Sequence, residues 1–169
     1  MGSFSEKVFL QLKMPTEETP VSDQRRITLA LGVLGYENVT FPLDVISKLY
    51  PLCRNAGFDI TVTLVKREFD WIVTNVEADN TTAFHYGLAV DYGSTTIVMQ
   101  LVDMNSGLVI DQVKAVSGQT EYGTDILSRI TYTMEDPAHM DHIQRATVKT
   151  FDFLLGKLEE NTGVAASEC

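Results

Sequence analysis

Tyr86-Gly87-Leu88-Ala89-Val90-Asp91-Tyr92-Gly93-Ser94-Thr95-Thr96 joins a continuous apolar run to a polar bend. Tyr86 to Val90 reads as a strand buried on both faces. It delivers an aspartate at its end, then a glycine, then three hydroxyl side chains that open the next strand. Thr95 to Asp103 is that second strand, Asn105-Ser106-Gly107 is a turn, and Leu108 to Val116 is a third strand. Residues 84–117 thus describe three antiparallel strands. Helical sequence follows at Gly123 to Tyr132 and at Pro137 to Leu158, where Ile143, Ala146, Thr147, Thr150, Phe151, Leu154, Leu155 and Leu158 keep an i, i+3, i+4 rhythm. Asn161-Thr162-Gly163 ends the second helix.

Upstream the chain has a different character. Val8 to Leu12 alternates as a strand would, and Met14 to Pro20 is a turn region. Ser22-Asp23 offers an N-cap before Ile27, Leu29, Ala30, Leu31 and Leu34, and Gly35 is placed to end that helix. A second helix starts at Pro42, with Leu43, Ile46, Leu49 and Tyr50 on one face, and Pro51 is expected to break or kink it. Asp59 to Lys66 and Phe69 to Val76 alternate with period two around a short polar turn, a β-hairpin in which Phe69 and Trp71 serve as core or interface aromatics. Ala78 to Thr82 is a polar joint. The expected organisation is a linker segment at 1–22, a small β-α-α-β-β domain at 23–80, and the first part of a larger lobe at 84–169. The fold class is α+β passing into α/β.

The chain has 169 residues, 44% hydrophobic and 21% charged, with a formal net charge of −10. That composition supports a packed core, while the charge and the absence of a Lys/Arg cluster argue against nucleic acid or an anionic membrane as partner. Two cysteines, Cys53 and Cys169, are too few for a disulfide scaffold or an iron–sulfur cluster. Cys53 sits in an apolar helical stretch and reads as a buried thiol rather than a nucleophile. With no signal peptide and no long apolar run, the chain is expected to be cytoplasmic.

The bend at Asp91 is where chemistry concentrates. Gly93 can take a positive φ and lets an anion approach the backbone without a Cβ in the way. The N–H groups from Gly93 to Thr95 can converge on a phosphate as a small nest, and Asp91 can hold a hydrated Mg²⁺. The plain alternative is an ordinary hairpin, since Asp-x-Gly-Ser is common turn chemistry. Elsewhere, Arg129 is expected to pair with Asp125, its i, i+4 neighbour, or to contact a partner or a phosphate. His139 and His142, near Asp136 and Asp141, read as a solvated helix start rather than a metal site.

The residues Asp91-x-Gly93-Ser94-Thr95-Thr96 resemble the first phosphate motif of the actin-like (ASKHA) superfamily, and the longer string from Gly87 to Thr96, Leu101-Val102-Asp103 and Tyr122-Gly123-Thr124-Asp125-Ile126-Leu127-Ser128-Arg129-Ile130 resembles a narrower group, the ATP-dependent reductive activators of corrinoid enzymes and corrinoid iron–sulfur proteins. The Tyr122 to Ile130 string is the more specific of the two. The resemblance implies a modular protein in which this chain holds the linker, a middle domain and the start of a partial actin-like, ribonuclease-H-like ATPase lobe with three antiparallel strands and two helices. It implies ATP and Mg²⁺ as cofactors of the intact protein, with Asp91 on the metal through water, Gly93, Ser94 and Thr95 on the phosphates, and Thr96 as a structural companion. It further implies a corrinoid protein or corrinoid-dependent methyltransferase as partner, on which cob(II)alamin is reduced to cob(I)alamin. The alternatives are a small-molecule kinase of the same superfamily, for which no substrate acid or base stands out, and a non-catalytic docking module. Half of an actin-like lobe would leave strand edges bare, so homo-oligomerisation of the isolated chain is expected.

Overall fold

The computed structural model describes residues 4–18 and 20–169, so residues 1–3 and 19 of the segment expected as a linker lie outside the described residues. The chain divides into two compact units, Met1–His85 and Tyr86–Cys169.

The first unit runs β1 (Ser5–Gln11), α1 (Asp23–Val33), β2 (Val39–Thr40), α2 (Leu43–Asn55), β3 (Asp59–Arg67) and β4 (Asp70–Ala78), with a sheet ordered β1-β3-β4-β2. Strand β1 pairs antiparallel to β3, so Ser5–Gln11 belongs to the sheet of this unit. Helix α1 starts as its sequence dictates, with the Ser22 hydroxyl accepting from the Arg25 amide at 3.2 Å. Ile27 and Leu31 of α1 and Val45, Leu49 and Cys53 of α2, each spaced by one helical turn, are buried against Ile60, Val62 and Leu64 of β3. Each such side chain contributes about 1.5–3 kcal/mol by leaving water. Val73 and Val76 of β4 face the same core although they are three residues apart. A bulge opposite Thr63 and Leu64 adds one residue and restores the register.

Three expectations for this unit are corrected. Pro51 does not break α2, which continues to Asn55. The lost N–H is offset because Cys53, one turn beyond Leu49 on the buried stripe, has no exposure at all and its carbonyl accepts from the Phe58 amide at 2.8 Å. Of the core and interface roles expected for the two aromatics, Phe69 does not take the core one: it stands at the hairpin tip, 87% exposed, while Trp71 packs at the core margin with its ring edge-on to Tyr36 at 5.1 Å. Strand β2 makes the motif β-α-β-α-β-β. Its two residues pair parallel to Trp71 and Ile72 and are too short to show any periodicity.

The second unit runs β5 (Tyr86–Tyr92), β6 (Thr96–Asp103), β7 (Leu108–Val116), a 3-10 turn at Gly118–Tyr122, α3 (Ile126–Glu135) and α4 (His139–Thr162). The three strands form an antiparallel meander in the order β5-β6-β7. Ile97, Met99 and Leu101 of the central strand β6 and Val113 of β7 pack on Leu154 and Leu158 of α4. Gly163, in the left-handed conformation at φ 74°, caps α4 where Asn161-Thr162-Gly163 predicts. Tyr86 to Val90, however, is not buried on both faces. Strand β5 is a sheet edge, no residue of the run is buried, and Val90 is 41% exposed. Within this unit helix α4 packs on β6 and β7. Apolar content marked this strand correctly but says nothing about which side is covered within this chain.

Leu154 is fully buried at the centre of this core. Leu154→Ala is expected to lower the stability of the second unit by about 2–5 kcal/mol, measured as a shift of its denaturant midpoint by far-UV circular dichroism.

Candidate functional site

The bend between β5 and β6 consists of Gly93, Ser94 and Thr95, and it is anchored on both sides. At its start Tyr92 pairs in register with Ile97, on the face that α4 covers. The Tyr92 ring packs edge-on against Phe151 at 5.7 Å, and its hydroxyl lies 3.3 Å from the Thr147 hydroxyl of α4. The Gln119 amide donates to the same Tyr92 hydroxyl from the 3-10 turn. At its end the Thr95 carbonyl accepts from the Ser117 amide at 2.8 Å, tying the bend to the chain leaving β7. Tyr92 is a support that sequence reading did not single out, because an aromatic inside a polar bend carries no distinctive spacing.

Gly93 does not use the positive φ that glycine allows. The need for glycine is one of space: a Cβ there would lie 2.5 Å from the Thr96 carbonyl oxygen. Asp91 sits next to Tyr92 along the strand and so points to the other face of the sheet, where it is exposed. Among the described residues its carboxylate has neither a hydrogen bond nor an ion pair. Ser94, Thr95 and Thr96 are likewise exposed, and their hydroxyls find no partner among the described residues. The five predicted residues lie at one end of one sheet, with no hydrogen-bond partner for their side-chain carboxylate and hydroxyls among the described residues.

The string Tyr122 to Ile130 has a local logic of its own. The 3-10 turn delivers Gly123, whose φ of 149° is one that side-chain-bearing residues rarely adopt. Asp125 then caps α3, so the helix begins at Ile126 rather than at Gly123. Its carboxylate accepts from the Ser128 amide at 2.9 Å, and the Ser128 hydroxyl completes a capping box. These hydrogen bonds hold the Asp125 carboxyl below the usual carboxylate range, the Ser128 amide being the largest cause. The expected Asp125–Arg129 pair does not form, because Asp125 is committed to the cap. The Arg129 Nε instead donates to the Gly123 carbonyl at 2.9 Å.

Tyr92, Gly93, Ser94, Gln119, Arg129 and Ile143 are among the residues lining an open groove of about 410 Å³ on this unit. His139 and His142 are not a solvated helix start. The His139 ring stacks on Tyr132 at 3.9 Å and 3°, and the Tyr132 hydroxyl lies 2.8 Å from the His142 Nδ1, clasping α3 to α4. Among the described residues no group of three or more His, Cys, Asp or Glu side chains is arranged to hold a metal. Cys53 is buried, and desolvation pushes its thiol up to about 11. No helix among the described residues is long and apolar enough to cross a membrane.

Fold and sequence together place the chain in a family: it belongs to the reductive activators of corrinoid proteins. The RACo linker region matches residues 1–83 and the RACo middle region matches residues 86–169. In those terms the segment read as a middle domain lies within the linker region, and the segment read as the start of an ATPase lobe is the middle region. Among curated proteins the chain is 37% identical over 65 residues to the corrinoid activation enzyme RamQ of Eubacterium limosum, a match covering 38% of this chain and 11% of that protein. Among solved structures it matches a reductive activator for corrinoid, iron-sulfur protein with a TM-score of 0.83 and 28% identity, covering 99% of this chain and 27% of that one. The chain thus spans about a quarter of the solved relative it matches.

The space left at Gly93 makes a direct test of the bend. Gly93→Ala forces the new methyl against a backbone oxygen and is expected to cost about 1–3 kcal/mol, seen as a lower Tm of the variant. An alanine accommodated without loss of stability would contradict the tight geometry.

Proposed function

We propose that this chain is part of an ATP-dependent activator that drives reduction of cob(II)alamin to cob(I)alamin on a corrinoid methyl-transfer protein. The observation that carries the reading is the bend at Asp91–Thr96, which lies inside the family's middle region with its carboxylate and hydroxyls unpartnered. Those groups suit the ligands the resemblance implies. Mg²⁺ takes one or two carboxylates and keeps several waters, so a lone exposed Asp91 is a sufficient protein ligand without any cluster of acids. Ser94 and Thr95 can donate to phosphate oxygens, Gly93 keeps the backbone open to them, and Thr96 continues the strand behind. ATP, when bound, supplies the free energy for an otherwise uphill one-electron transfer. The electron comes from a donor of low potential, such as an iron–sulfur centre, and ends on the cobalt. The corrinoid protein is the acceptor and partner.

The experiment is reduction of a corrinoid protein by the full-length activator, followed by the loss of the cob(II)alamin absorption, with and without MgATP. Reduction is expected only when ATP is supplied. Asp91→Asn is expected to weaken Mg²⁺-dependent nucleotide binding by roughly 10–100-fold, the cost typical of disturbing a metal's immediate surroundings. Equal reduction without ATP, or unchanged binding by Asp91→Asn, would overturn the reading.

A second reading, a module for association, is favoured by the bare edge of β5 and by the exposed Leu108, Val109, Ile110 and Val116 on β7. Residues 1–169 alone are expected to self-associate in light scattering and to hydrolyse little ATP. A clean monomer would argue against it.

A further inference from the structure

Arg129 is 6% exposed, and its Nη2 has no hydrogen-bond partner among the described residues. A buried guanidinium nitrogen left without a partner is costly, and a bound water or ion is one of the ways such a group is completed. The fold has taken care to put it there. Asp125, the one acid at helical spacing, is turned away into the capping box. Gly123 lends its carbonyl to the Arg129 Nε, and a Cβ at Gly123 would collide with the Ser128 hydroxyl and lie 2.9 Å from the Arg129 amide. The side chain is therefore pinned by its own loop, with part of the guanidinium to spare.

The groove that Arg129 lines is shared with Gly93 and Ser94 of the bend, and none of its lining residues is acidic although the chain carries a net charge of −10. An acid-free groove lined by an arginine with one unpartnered nitrogen and by an unpartnered serine hydroxyl suits an anion. Arginine's planar donors match phosphate oxygens in particular. We propose that Arg129 is a phosphate-binding residue of this groove, acting on the same ligand as the Gly93–Thr95 bend. The inference rests on the nucleotide reading of that bend and adds to it a positive charge from a different element, the first turn of α3. It also gives the string Gly123-x-Asp125-x-x-Ser128-Arg129 a function: glycine and cap together seat the arginine.

The test is isothermal titration of the full-length protein with MgATP, inorganic tripolyphosphate and adenosine, for wild type, Asp91→Asn, Arg129→Gln and Arg129→Lys. Arg129→Gln is expected to weaken MgATP and tripolyphosphate by roughly tenfold or more, the range of a charge-assisted hydrogen bond, Arg129→Lys by less, and adenosine not at all. Loss for MgATP alone identifies a nucleotide phosphate, and loss for both ligands a general polyphosphate site. A folded Arg129→Gln that binds MgATP as wild type does, while Asp91→Asn does not, overturns this inference and leaves the nucleotide reading standing. Wild type that binds no MgATP overturns both. Should Arg129→Gln fail to fold, hydrogen exchange on wild type decides: MgATP is expected to slow exchange of amides 123–130, and unchanged exchange there sinks the proposal.

Discussion

The contact on which the second unit depends is the one between Gly118 and α4. The Gly118 amide donates to the Thr150 hydroxyl at 3.0 Å, and a side chain at this glycine would lie 2.8 Å from the Ala146 carbonyl. Thr150 stands on the same stripe of α4 as Leu154 and Leu158, which hold the sheet. One helix therefore does two jobs. Its lower turns build the apolar core, and its upper turns draw in the chain that leaves β7. Because Ser117, the preceding residue, bonds to Thr95, that same contact fixes the bend at the far end of β5.

The arrangement explains how a three-stranded sheet can present a polar bend with some rigidity. Strand edges and turn tips are ordinarily the loosest parts of a small sheet. Here the bend between Tyr92 and Thr96 is held by α4 through Thr147 and Phe151, by the 3-10 turn through Gln119, and by β7 through Ser117. None of these supports uses Asp91, Ser94 or Thr96. The groups suited to a ligand are thus separate from the groups that position them, as pre-organised binding requires.

Most of the architecture was legible in the sequence because its signals are local. Ser22 as a cap, the period-two hairpin at β3 and β4, the meander of β5 to β7 and the left-handed Gly163 all follow from one or a few adjacent residues. What was not legible depended on distant packing. Pro51 is tolerated because Cys53 is locked into a core assembled from β3 and α1. Strand β5 is less buried than its apolar run suggests because it is a sheet edge and α4 packs mainly on its neighbours. Asp125 abandons Arg129 because a serine three residues on completes a cap, a competition that spacing alone cannot rank. At the bend, residue types marked a glycine, and the structure shows that Gly93 is required by the nearness of the Thr96 carbonyl rather than by an unusual φ.

The chain carries a single tryptophan, Trp71, wedged edge-on to Tyr36 with the Lys66 ammonium 5.7 Å from its ring. It belongs to the first unit, whereas the Asp91 bend belongs to the second. Excitation selective for indole consequently watches only one half of the polypeptide. The indole emission therefore follows the packing of the first unit around Tyr36 and gives that half of the chain an unfolding signal of its own.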